Sequence, residues 1–161
     1  IKECPWATTG RVGGRKPNII TSLELRSEEM EVINLRIQKK YKEIEEKEVR
    51  FEEYLLEDAE YAIVAFGSAA RIAKKSIEIA RSQGIKVGLL RPITLWPFPT
   101  KEVQKLGEKM KGILSLEINA GQMVEDIRLA VAGRVPVQHF GRLGGIIPDP
   151  DEVVDAIKRL F

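Results

Sequence analysis

The residues that could do chemistry gather around a handful of glycines. Gly67-Ser68 stands where an apolar run gives way to a helical pattern. The free N–H groups and the dipole of a helix N-terminus favour an anion there, although the same pair also makes an ordinary turn and N-cap. Neither a GxGxxG pattern nor a Walker-type lysine accompanies it. Asn119-Ala120-Gly121-Gln122-Met123 follows another apolar run in the same way. Its two amides, each both donor and acceptor, flank a glycine that lets a second backbone come close. Turn chemistry accounts for Asn119 and Gly121, and less well for Gln122. Gly141-Arg142-Leu143-Gly144-Gly145 places three glycines around one arginine. Such a loop can hold a phosphate or a carboxylate, or be a flexible turn with a surface arginine.

Two titratable side chains stand near these loops. Glu117 ends an apolar run, and a lone buried carboxylate can have a raised pKa and act as acid or base. The plainer alternative is a carboxylate satisfied by an arginine or by backbone donors. His139, the only histidine, has no serine or aspartate beside it in sequence and reads as a satisfied imidazole on an edge strand. There is no GxSxG or HExxH motif. Cys4 is the only cysteine, so an internal disulfide and a Cys-rich zinc or iron–sulfur site are excluded.

The elements that must position these residues follow from periodicity. The short apolar run at 61–66 suits a strand buried on both faces. A helix to about Gln83 buries Ile72, Ala73, Ser76 and Ala80, with Gly84 as its stop. A strand is predicted at 87–90, a proline-broken loop after it, and then a helix capped by Thr100, carrying Val103, Leu106 and Met110 and stopped by Gly112. A strand at 113–118, a helix from about Gln122 to Ala132 and a strand at 135–140 follow. Pro136 places that last strand at a sheet edge. Asp149 and Glu152 form a capping box with Pro150 at the first helical position. Residues 49–56 read as a further strand of edge character. The alternation gives an α/β fold, a three-layer α/β/α sandwich around a mostly parallel sheet. Loops after the strand C-termini form the working edge of such a sheet, and here they begin at Gly67, Arg91, Asn119 and Gly141.

Ahead of this domain, residues 1–26 read as an irregular inter-domain arm, and residues 27–48 as a connector helix. Met30, Ile33, Ile37, Tyr41 and Ile44 form its narrow apolar seam, and Glu43 and Lys47 are spaced as an ion pair. Residues 49–161 make up the α/β domain. The chain has 161 residues, room for one well-formed core. Its net charge of +2 lacks the basic stripe of a nucleic-acid binder. No apolar run reaches membrane-spanning length and no signal peptide is visible, so the cytoplasm is the expected location. Abundant Lys, Glu and Ile lean toward a thermophile. Ile1 lies in loop-like sequence, which suggests a piece of a longer protein.

Several segments, in order, carry a resemblance. They are Pro5-Trp-Ala-Thr-Thr-Gly10, Lys16-Pro-Asn, Thr21-Ser-Leu, Leu90-Arg-Pro-Ile-Thr-Leu-Trp-Pro-Phe-Pro99, Glu117-Ile-Asn-Ala-Gly-Gln-Met123 and Gly141-Arg-Leu-Gly-Gly145. The set resembles the C-terminal part of alpha subunits of 2-oxoacid:ferredoxin oxidoreductases, with its nearest likeness to the 2-ketoisovalerate branch. The resemblance implies a transketolase C-terminal-like fold of strand order 1-3-2-4-5 with an antiparallel first strand. It also implies a complex using thiamine diphosphate, Mg²⁺, iron–sulfur clusters and coenzyme A. The implied partners are an N-terminal pyrimidine-binding domain, beta, gamma and ferredoxin-like delta subunits, and ferredoxin as electron acceptor. This chain has no GDG…N diphosphate–Mg²⁺ signature. No catalytic residue, metal ligand or cofactor is therefore expected on it, and its loops are expected to serve subunit contact or an anion.

Overall fold

The computed structural model describes residues 12–14, 16, 19 and 21–160. Cys4 and most of the irregular arm expected at 1–26 lie outside the described residues. The chain divides into two compact units, with the boundary between Lys40 and Tyr41. The first holds most of the helix α1 (Ser27–Lys47). The predicted seam is present, but no residue of α1 is buried, and Glu43 and Lys47 do not close an ion pair.

The second unit contains β1 (Phe51–Tyr54), β2 (Tyr61–Ala65), α2 (Gly67–Ser82), β3 (Val87–Pro92), α3 (Thr100–Lys109), β4 (Gly112–Glu117), α4 (Met123–Val131), β5 (Val137–Gly141) and α5 (Pro150–Lys158). The five strands form one sheet in the order β1-β3-β2-β4-β5. β1 runs antiparallel to β3, pairing Phe51 with Pro92, and the remaining pairings are parallel. This is the mixed sheet expected from the sequence, with β1 and β5 at its edges. Along β2 the side chains alternate between faces. Ile63 and Ala65 pack with the inner faces of α2 and α5, while Ala62 and Val64 pack with α3 and α4. A strand covered on both sides must be apolar throughout, which explains why Ala62, Ile63, Val64 and Ala65 are all fully buried.

Several boundaries differ from the reading of the sequence. β3 continues through Arg91 and Pro92 because β1 pairs with both, so Arg91 belongs to a strand and not to the loop after it. Thr100 is the first helical residue, not the cap. Pro99 occupies the cap position without a side-chain bond, and its carbonyl accepts from Val103 N. Gly112 opens β4 instead of ending α3. Pro136 lies just ahead of β5, although its carbonyl still accepts from Ile113 N. The Asp149 capping box forms as expected: Asp151 N donates to Asp149 Oδ1 at 2.9 Å, and Asp149 N donates to Glu152 Oε2 at 3.1 Å.

Candidate functional site

The candidate residues form two clusters along the C-terminal edge of the parallel strands, one at β2–β3 and one at β4–β5. In the first, Gly67 is the opening residue of α2, with φ of 55°. That left-handed value favours glycine, and a Cβ added there would meet nothing within 4 Å. Phe66, not Ser68, holds the cap position, and no side chain caps this helix end. Ser68 is exposed. Arg91 Nη1 donates to Glu52 Oε2 at 2.9 Å, and Lys74 Nζ donates to Glu52 Oε1 at 2.5 Å. Those bonds to Lys74 and Arg91 hold the Glu52 carboxyl below the usual carboxylate range. A cavity of about 150 Å³ lies here, lined by Gly67, Ala70, Arg71, Lys74 and Arg91. Arg71 and Lys74 escaped the sequence reading, though their spacing of four and seven residues from Gly67 puts them on its helix face.

In the second cluster Glu117 is completely buried at the end of β4. Its Oε2 accepts from the backbone N–H of Gln122 at 3.1 Å and Met123 at 2.9 Å, and its Oε1 from Val124 N at 3.0 Å and the Ser115 hydroxyl at 2.9 Å. Burial pushes the carboxyl pKa up, but the bonds from Met123, Gln122, Ser115 and Asn119 outweigh it and bring the group below the usual range. The raised-pKa acid or base considered from the sequence is thus overturned, and the backbone-satisfied alternative holds. Gln122 occupies the cap position of α4, but its own side chain does not cap. Glu117 does that work from the strand, binding the first N–H groups of the helix.

The Asn119 and Gly141 loops come together. Asn119 Oδ1 accepts from Gly121 N at 2.7 Å, closing an Asx turn around Gly121 with φ of 106°. A Cβ on Gly141 would stand 2.3 Å from the Asn119 carbonyl oxygen and 2.9 Å from His139 Nε2. Only glycine fits. His139 pairs with Ser115 across β4–β5. Its Nε2 is buried 3.9 Å from Glu117 Oε1 and has no hydrogen-bond partner among the described residues, so the imidazole is not the satisfied one expected. Arg142 Nη1 reaches Glu152 Oε1 of α5 at 3.6 Å. Gly144 and Gly145 are exposed with φ of 64° and 82°. Beyond Arg142 the surface turns apolar, with Leu143 58%, Ile146 53% and Ile147 68% exposed.

Comparison with known proteins places this geometry. The family model described as pyruvate:ferredoxin oxidoreductase core domain II matches residues 59–153. The ketoisovalerate oxidoreductase subunit VorB of Methanothermobacter thermautotrophicus is 43% identical over 158 residues, covering 98% of this chain and 44% of the relative. The chain therefore spans less than half the length of the curated relatives it matches most fully. A solved 2-oxoglutarate:ferredoxin oxidoreductase from Magnetococcus marinus, with 2-oxoglutarate, coenzyme A and succinyl-CoA bound, superposes with a TM-score of 0.68 at 18% identity, over 85% of this chain and 24% of that one. A split-gene transketolase, an inactive beta4 tetramer, superposes with a TM-score of 0.60 at 16% identity, over 69% of this chain and 41% of that one. At these identities the two structures speak for the fold alone. By its family match and by a likeness to VorB that runs nearly end to end, the chain belongs to the pyruvate:ferredoxin oxidoreductase core domain II family.

Proposed function

We propose that this chain is the C-terminal, subunit-contact domain of a 2-oxoacid:ferredoxin oxidoreductase of the branched-chain, ketoisovalerate type. The complete enzyme would decarboxylate the 2-oxoacid on thiamine diphosphate, pass two electrons through iron–sulfur clusters to ferredoxin and transfer the acyl group to coenzyme A. In this reading the enzyme works in the cytoplasm. The rest of the alpha subunit and the beta, gamma and delta subunits supply the thiamine, Mg²⁺ and cluster sites. Among the described residues no three carboxylate, imidazole or thiol groups converge as a metal ion would need. The reading assigns no catalytic step to these residues.

The observation that carries the reading is the state of the β4–β5 edge. The Glu117 carboxylate is engaged within the chain, while Leu143, Ile146 and Ile147 remain open to solvent. Such a patch suits association more than catalysis. Replacing Ile147 with aspartate should lower the amount of complex recovered by size-exclusion chromatography, and Arg142→Ala should do so more weakly. Turnover per assembled enzyme should stay near that of the parent. Normal assembly with turnover or coenzyme A affinity down about a hundredfold, a loss of roughly 2.7 kcal/mol, would place the loop in a working site instead.

A further inference from the structure

The cavity between α2 and the end of β3 collects positive charge. We propose that it is an oxyanion site that holds a phosphate group, either free or as a monoester. The inference stands on this cavity alone and does not depend on the enzyme reading.

Three cations, Arg71, Lys74 and Arg91, line the cavity. Among the described residues Glu52 is the one carboxylate bound to any of them, which leaves two positive charges in excess, a match for a phosphate dianion. The donors are in surplus as well. An arginine offers five N–H bonds and a lysine three, while Arg91 and Lys74 each donate once to Glu52. Arg91 Nε is buried without a partner. Arg71 makes no ion pair or hydrogen bond to the described residues.

Shape agrees with charge. The volume of about 150 Å³ equals roughly five water molecules, enough for a tetrahedral oxyanion with part of its hydration. Gly67 leaves open the space a Cβ would take, so an oxygen can approach the uncapped start of the 16-residue α2. There the helix dipole adds to the attraction. Donors come from a helix end, from α2 side chains and from β3. That suits a tetrahedral group better than a planar carboxylate, which two parallel donors satisfy. Gly67 and Arg71 are both exposed, so the tail of an ester can leave toward solvent.

The test is calorimetry on the complete protein with inorganic phosphate and, separately, glycerol phosphate. Saturable binding of inorganic phosphate at millimolar or lower concentration is expected. Arg71→Gln should weaken it about tenfold, while Lys75→Gln, the same charge change four residues along α2, outside the cavity lining and paired with Glu78, should change it less than about twofold. Glycerol phosphate binding with the same Arg71 dependence would identify esters as ligands, and its exclusion would confine the site to the free ion. Either result supports an oxyanion site. Absence of saturable binding below about 10 mM, or equal losses in the two variants, would overturn it.

Discussion

Replacing Glu117 with glutamine removes a charge that four donors converge on and turns one acceptor into a donor facing donors. The loss should be about 2–4 kcal/mol in denaturant unfolding at neutral pH. The pH dependence has a definite sign. Folding lowers the Glu117 pKa, so its contribution is complete above the unfolded value of about 4.3 and disappears as pH falls through the lower folded value. The gap between parent and Glu117→Gln should therefore be constant from pH 7 to 5 and shrink below about pH 4. A gap that persists at pH 3 would assign the loss to shape and not to charge. At the same scale, Gly141→Ala must displace the Asn119 carbonyl. It should cost about 1–3 kcal/mol and speed amide exchange at Gly121, whose N–H depends on that turn. The sequence made Glu117 conspicuous but left two outcomes open, because the donors that decide between them come from the next helix. His139 was misjudged for the same reason: what surrounds its Nε2 is set by Gly121 and Gly141 from separate loops.

Among the elements, α5 was the easiest to foresee. Asp149, Pro150 and Glu152 specify its start through local bonds alone, and those bonds are present. Asp149→Ala should cost about 1 kcal/mol, a fall of about 2–4 °C in thermal melting for a domain of this size. A fall no larger than that of Asp155→Ala, on the exposed face of the same helix, would mean the box contributes nothing. The starts of α3 and α4 were harder. Thr100 has the residue type of a cap but sits one position too late, and Gln122 sits at the cap while a strand carboxylate does the capping. Local chemistry reveals a helix start only where the cap is itself local. The end of β3 was missed likewise, since nothing near Arg91 announces that a strand from 37 or more residues earlier will pair with it.

Across the whole molecule, the mostly parallel sheet and its two-sided cover were legible from the alternation of apolar runs and helical faces, whereas the order of strands came only with the family resemblance. Its energetic centre follows. Ala62, Ile63 and Val64 are fully buried in the middle strand, whereas α1 buries no residue. Amide exchange should be slowest along β2, opening only with global unfolding, and much faster between Ser27 and Lys40. Equal protection in the two regions would mean that α1 is held by contacts that its exposure does not reveal.

The reversed direction of β1 has a geometric consequence for anything joined upstream. Because Phe51 pairs with Pro92, the chain enters the sheet at the end where the parallel strands finish, beside the Gly67, Asn119 and Gly141 loops. A parallel fifth strand would have admitted it at the opposite end. The segment just ahead of Phe51 is thus delivered to the working edge and not to the starting ends of the parallel strands.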